Sequence, residues 1–176
     1  MAILLSQFDN IIDENQRQVY NTCLGFLKNE DDAKDMAQET FIKAYQAFDT
    51  FKGEAKISTW LHRIAINVCL EFQRSRKNAR RNKTLVLDPV HESLVGHQFH
   101  PGVSVENQER SEILYNAIEQ LPETQKIAFI LKKVDGLSQK EVSQIMGKSE
   151  GSIESLLNRA KMNLRKTLRK YYEAHG

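Results

Sequence analysis

Long apolar runs are missing from this 176-residue chain. None approaches the roughly 20 residues that a membrane helix needs, and the opening MAILLSQFDN carries no basic leader. The expectation is a cytoplasmic protein with no membrane segment of its own. Cysteine is scarce as well. Cys23 and Cys69 both fall inside helical patterns, where free buried thiols are common, and no CxxC or HExxH spacing offers a redox or metal motif. Glycine and proline are few, strand-like alternation is found nowhere, and no segment repeats. These shortages leave an all-α chain that calls for no cofactor and no metal.

Charge is present in quantity and is unevenly spread. The formal net charge is +2, yet residues 1–52 balance at −4, 53–83 at +6, 84–125 at −6 and 126–176 at +6. Two basic blocks, each behind an acidic one, describe two nucleic-acid contacts with other surfaces between them.

The first basic block lies in FKGEAKISTWLHRIAINVCLEFQRSRKNARRNK, residues 51–83. At helical period, Ile57, Trp60, Leu61, Ile64, Ala65, Val68 and Phe72 share one side, the signature of a buried stripe. Arg63, Asn67 and Arg74 align on another side, with Leu70 among them. Past Phe72 the apolar pattern gives way to Arg74, Arg76, Lys77, Arg80, Arg81 and Lys83. A helix that packs on one side and shows a basic strip on the other suits a nucleic-acid strand, although a charge run taken alone is more often a solvated face.

Upstream, a helix is expected from Phe8 to Leu27. Asn29 then caps a second helix whose first turn, Glu30, Asp31 and Asp32, favours the positive end of the helix dipole. Its inward stripe is Ala33, Met36, Ala37, Thr40, Phe41, Ala44, Tyr45 and Phe48. Its outward stripe is Asp35, Gln38, Glu39, Ile42 and Gln46. An isoleucine among outward acidic groups hints at a protein partner.

Between Lys83 and Asn107 the periodicity dissolves around Pro89, Gly96, Pro101 and Gly102, which reads as a linker over residues 84–107. Its His91, His97 and His100 match no metal spacing. Helical period returns near Glu106 with Ile113, Leu114, Ala117, Ile118 and Leu121 inward. Pro122 suits the first turn of the next helix, lined by Ile127, Ile130, Leu131 and Val134 and closed by Gly136. Ser138-Gln139-Lys140-Glu141 is a capping box opening a short helix to Met146. Gly147 turns the chain, and Ser149 caps a long final helix. Ile153, Leu156, Leu157, Ala160, Leu164 and Leu168 face inward on it. Ser152, Ser155, Asn158, Arg159, Met162 and Lys166 face outward. A short capped helix, a glycine turn and a longer helix with small polar residues on its outer N-terminal face make a helix-turn-helix, whose second helix enters the major groove.

Three strings, DMAQETFIKAYQAFDTF, the 51–77 segment and LPETQKIAFILKKVDGLSQKEVSQIMGKSEGSIESLLNRAKMNLRK, stand in an order that resembles a bacterial RNA polymerase sigma factor of the extracytoplasmic-function (ECF) group. The resemblance spans nearly everything except the linker. It implies two small helical domains: a region 2-like domain over 1–83 and a region 4-like domain over 108–176. It further implies core RNA polymerase and promoter DNA as partners, duplex at the −35 element and single-stranded at −10, together with a possible anti-sigma factor. Asp35, Gln38 and Glu39 match positions that bind the polymerase clamp helices, and Ile42 shares their stripe. The loop 51–58 matches the segment that captures a flipped −10 base, with Asn67 beside it. Lys56, Arg63, Arg74, Arg76 and Lys77 would steer the strand's phosphates. Trp60, on the apolar stripe, is expected to pack in the core rather than serve as a stacking platform. Ser149, Ser152, Ser155, Asn158, Arg159 and Lys161 would face the −35 duplex.

One stretch departs from the family pattern. Many members place basic residues in the first turns of the recognition helix, whereas Gly151-Ser152-Ile153-Glu154-Ser155 has none, so the bidentate arginine grip on guanine is missing there. Two other readings compete. A stand-alone helix-turn-helix regulator would not need the acidic stripe. A nucleic-acid enzyme would use Asp31, Asp32, Asp35 and Glu39 as metal ligands, but no second element supplies partners for them.

Overall fold

A computed structural model describes residues 2–84 and 105–175, with side chains over 7–81 and 109–175. The chain divides into two compact units, 1–98 and 99–176. The three histidines and most of the segment read as a linker lie outside the described residues. Thr84 and residues 105–107 at its ends are helical.

In the first unit α1 (Ala2–Leu27), α2 (Glu30–Gln46) and α3 (Ile57–Thr84) pack against one another, with a 3-10 turn at Phe48–Thr50. Helix α1 starts six residues before the expected Phe8. It ends at Lys28, which takes the left-handed conformation (φ 58°) and donates its N–H to Leu24 O at 2.8 Å. Asn29 caps α2, its side chain accepting from the Asp32 N–H at 2.9 Å. The buried face of α2 is Ala33, Ala37, Thr40 and Ala44, small residues that let both neighbours approach closely. Val19, Cys23 and Phe26 of α1 and Leu61, Ala65, Val68 and Cys69 of α3 are buried where these helices pack. Two of the buried polar groups are satisfied within their own helices: Thr40 donates to Met36 O at 2.7 Å, and His62 Nδ1 donates to Ser58 O at 2.7 Å.

Two expectations for this unit are corrected. Leu70, placed on the polar strip of α3, is 7% exposed, and Ile66 is buried with it. Because α3 lies against both α1 and α2, its buried face is wider than a single stripe. Tyr45, expected inward, sits at the rim of the core, 41% exposed and edge-on to Phe8 at 5.2 Å.

In the second unit α4 (Val105–Glu119), α5 (Glu123–Phe129), a π-helical segment (Ile130–Val134), α6 (Gln139–Met146) and α7 (Glu150–His175) follow in order. Ala117, Ile118, Leu121, Ile130, Leu131, Val142, Ile153, Leu157, Ala160 and Leu164 form the core. Leu114 and Val134, both expected inward, are exposed. For Val134 the cause is local. The Asp135 N–H reaches back to Ile130 O at 3.0 Å, and that wider turn carries Val134 off the face predicted at α-helical period. Gly136 (φ 70°) stops the segment, as expected.

Candidate nucleic-acid and protein interfaces

Three surfaces carry the predicted site residues. The first is the outer face of α2. Asp35, Gln38 and Ile42 are exposed and Glu39 is half-exposed, while the opposite face of the same helix is core. Ile42 is 51% exposed. Tyr45, one turn further on, extends this face with an aromatic ring. Sequence periodicity assigned it inward and so missed it. Lys43 donates to Glu71 Oε2 at 2.8 Å, tying α2 to α3. That hydrogen bond holds the Lys43 ammonium above its ordinary range, with Glu39 adding a smaller attraction.

The second surface runs along α3. Arg63, Asn67, Arg74 and Lys77 are exposed at helical spacing, and Lys56 is exposed where its carbonyl accepts from the Trp60 N–H at 3.1 Å to open the helix. The loop before it turns at Gly53 (φ 70°), where no atom crowds an added Cβ and the conformation alone favours glycine. Phe51 and Trp60 flank this loop with ring centroids 5.0 Å apart, and both are close to Phe48. Trp60 is half-buried in that aromatic cluster. Arg76 differs from its basic neighbours: it is half-buried, with Nη1 2.6 Å from Asp32 Oδ2 and its guanidinium 5.5 Å from the centre of the Phe72 ring.

The third surface is the helix-turn-helix. The Ser138 capping box is fully formed, and Gly147 (φ 62°) makes the turn. Gln139 donates to Glu150 O at 2.9 Å and fixes the start of α7 on α6. Asn163 donates to Gln125 at 2.8 Å, holding α7 on α5. Ser152, Ser155, Asn158, Arg159 and Lys161 are exposed, with Ile153 and Leu157 buried behind them. Ser149 is exposed too, but its hydroxyl serves the cap: it accepts from the Ser152 N–H at 3.2 Å and donates to Ser152 Oγ at 2.9 Å. A shallow groove of about 480 Å³ runs beside this end of α7, lined by Thr124, Lys148, Ser149, Ser152, Ser155 and Arg159.

Residues 11–79 match the family model for sigma-70 region 2, and residues 111–164 match that for sigma-70 region 4. The chain is 32% identical to the ECF RNA polymerase sigma factor SigW of Bacillus subtilis, over 92% of this chain and 89% of that protein. It belongs to the ECF sigma factors. The Haemophilus influenzae ECF RNA polymerase sigma-E factor is 28% identical over 88% of this chain and 83% of its own. The sigma factor RpoE of Bartonella quintana, solved in complex with the anti-sigma factor NepR, shares the fold, with a TM-score of 0.66 at 23% identity over 93% of this chain and 97% of that one.

The sigma factor's two family regions coincide with the two surfaces that carry basic blocks. Promoter-specific transcription initiation by RNA polymerase is thus the process in which this chain takes part, as a regulatory factor. The rival enzyme reading meets a geometric obstacle. Asp32 is engaged by Arg76, and among the described residues no three His, Cys, Asp or Glu side chains gather closely enough to hold a metal ion. No helix among the described residues is long and apolar enough to cross a membrane.

Proposed function

We propose that Asp35, Gln38, Glu39 and Ile42 dock this sigma factor on the clamp helices of core RNA polymerase, while its two basic blocks read the promoter. The observation that carries this reading is the outer face of α2, an acidic stripe with an exposed isoleucine on a helix whose other face is core. A regulator that binds duplex DNA alone has no use for it. Along α3, Arg63, Arg74 and Lys77 attract the phosphates of a single strand, and Asn67 with the 51–58 loop receives one base extruded from the −10 element. Extrusion costs a few kcal/mol. A pocket that recovers this cost at one sequence both reads the element and opens it. On the other domain, Ser152, Ser155 and Asn158 face base edges of the −35 duplex, and Arg159 and Lys161 hold its backbone. The chain breaks no bond in this scheme, and a factor acting on promoters works in the cytoplasm. An anti-sigma factor covering these faces is consistent with the family. Promoter-dependent initiation by purified core polymerase, with and without the chain, tests the reading. Initiation at selected promoters only when the chain is present is the expected result, and duplex binding with no effect on initiation would favour the stand-alone regulator.

A further inference from the structure

Arg76, in the basic part of α3, is tied to a neighbouring helix. Its Nη1 lies 2.6 Å from Asp32 Oδ2, in the first turn of α2, and its guanidinium lies over Phe72. Both side chains of the pair are partly withdrawn from water, 38% and 25% exposed. Two further ties meet the same stretch of α3: Glu71 with Lys43 at 2.8 Å, and Gln73 donating to Phe26 O at 2.8 Å, at the end of α1. Residues 71, 73 and 76 therefore fasten the stretch where the apolar stripe of α3 fades and the basic strip begins. Hydrophobic packing no longer fixes the helix there, so directed polar ties do.

We infer that Arg76 is not a contact to the DNA strand but a positioning residue, which braces the basic end of α3 on the first turn of the polymerase-facing helix. An arginine with Nη1 held by a carboxylate and its guanidinium over a ring has less left for a passing phosphate. The brace fixes the angle between the α2 stripe and the α3 strip, two surfaces that have to be engaged together if the proposed function holds. The inference rests on that reading for its consequence, though not for its geometry.

The test uses the full chain in three measurements. Binding of a fluorescein-labelled dT12 oligonucleotide is followed across salt concentrations for the wild type, Arg76→Gln and Lys77→Ala. Arg76→Gln should keep the wild-type salt slope, whereas Lys77→Ala should flatten it by about 0.7. Initiation is measured with core polymerase on promoter fragments enriched from a random library by the wild-type holoenzyme, at folded concentrations equalised by circular dichroism. Arg76→Gln and Asp32→Asn should each lower promoter opening by about three- to tenfold, and the double variant should be no worse than either. Exchanging the pair, Arg76→Asp with Asp32→Arg, should recover most of the loss, with core affinity unchanged throughout. A flattened slope for Arg76→Gln together with a harmless Asp32→Asn overturns the inference, as does a loss that disappears once folded concentrations are equal. A wild-type chain that does not bind dT12 removes the strand from the proposed function, and one that supports no initiation removes the sigma role. In either case the exchanged pair still decides the brace, through recovery of the melting temperature.

Discussion

Reversing the charge of the α2 stripe separates binding from folding more cleanly than any other change to this chain. In Asp35→Lys with Glu39→Lys, neither position belongs to the buried face of α2. The helical neighbours set the effect on stability. The change at position 35 gives Asp31 a favourable i,i+4 partner. At position 39 the like-charge pair with position 35 is only exchanged for another of the opposite sign, but the new lysine meets Lys43, and the attraction of Glu39 for Lys43 is lost. Each such pair is worth about 0.2–0.5 kcal/mol, so the net destabilisation is about 1 kcal/mol or less. Binding responds differently, because on the proposed reading two negative charges that would meet a cationic partner become two positive ones. At about 2 kcal/mol for each reversal, the pair costs about 4 kcal/mol, roughly a thousandfold in affinity. The assay is fluorescence anisotropy of labelled chain against core polymerase, beside a thermal melt by circular dichroism. Asp9→Lys with Asp13→Lys, exposed on α1, makes the same change in net charge and is the control. An unchanged affinity in the α2 variant, or an equal loss in the control, refutes the assignment of this face.

Asn67→Ala should slow promoter opening while leaving the closed complex intact, because the proposed contact exists only once the base has left the stack; a fluorescent base analogue in the −10 element reports it. Lys28→Gly should raise the melting temperature by a few degrees, since Lys28 holds a left-handed conformation (φ 58°) that costs a side chain about 1 kcal/mol. Ser138→Ala removes one half of a capping box formed in both directions and should cost about 1 kcal/mol, read by denaturant melting of the full chain. Arg159→Ala should weaken −35 duplex binding equally for all sequences and lower the salt slope by about one unit. Ser155→Ala should instead change preference at one base pair with little change in slope; the opposite pattern would mean that α7 is rotated in the groove.

Much of the fold was legible because its signals are local. Asn29, Ser138, Gly136 and Gly147 act within a few residues of themselves, and each does in the structure what its residue type dictates. The failures arise where a residue's fate depends on a distant neighbour or on irregular winding. Leu70 is covered because two helices flank α3, and a single stripe at 100° per residue cannot anticipate the second. Tyr45 follows the inward pattern of α2 but sits where the core has run out. Val134 was misplaced because nothing in ILKKV announces a π turn. Arg76 is the instructive case for the candidate surfaces. By composition it is one more cation in a basic run, and only the approach of Asp32, 44 residues away, distinguishes it from Lys77. Charge runs reveal that a surface is basic, but not which of its members are already engaged.

The missing arginine in the first turns of α7 fits a division of labour between the two domains. The serine hydroxyls of α7 cannot make the bidentate contact that an arginine fork makes on guanine, so on the proposed reading α7 alone should bind duplex DNA weakly. Weak reading is sufficient when both domains are held on one polymerase, because the second contact is then made at the effective concentration set by the tether rather than at that of free protein. On the proposed reading, the serine-lined face of α7 and the basic strip of α3 suit a protein whose specificity comes from joining two modest contacts, with the acidic stripe of α2 as the attachment that would make the joining possible.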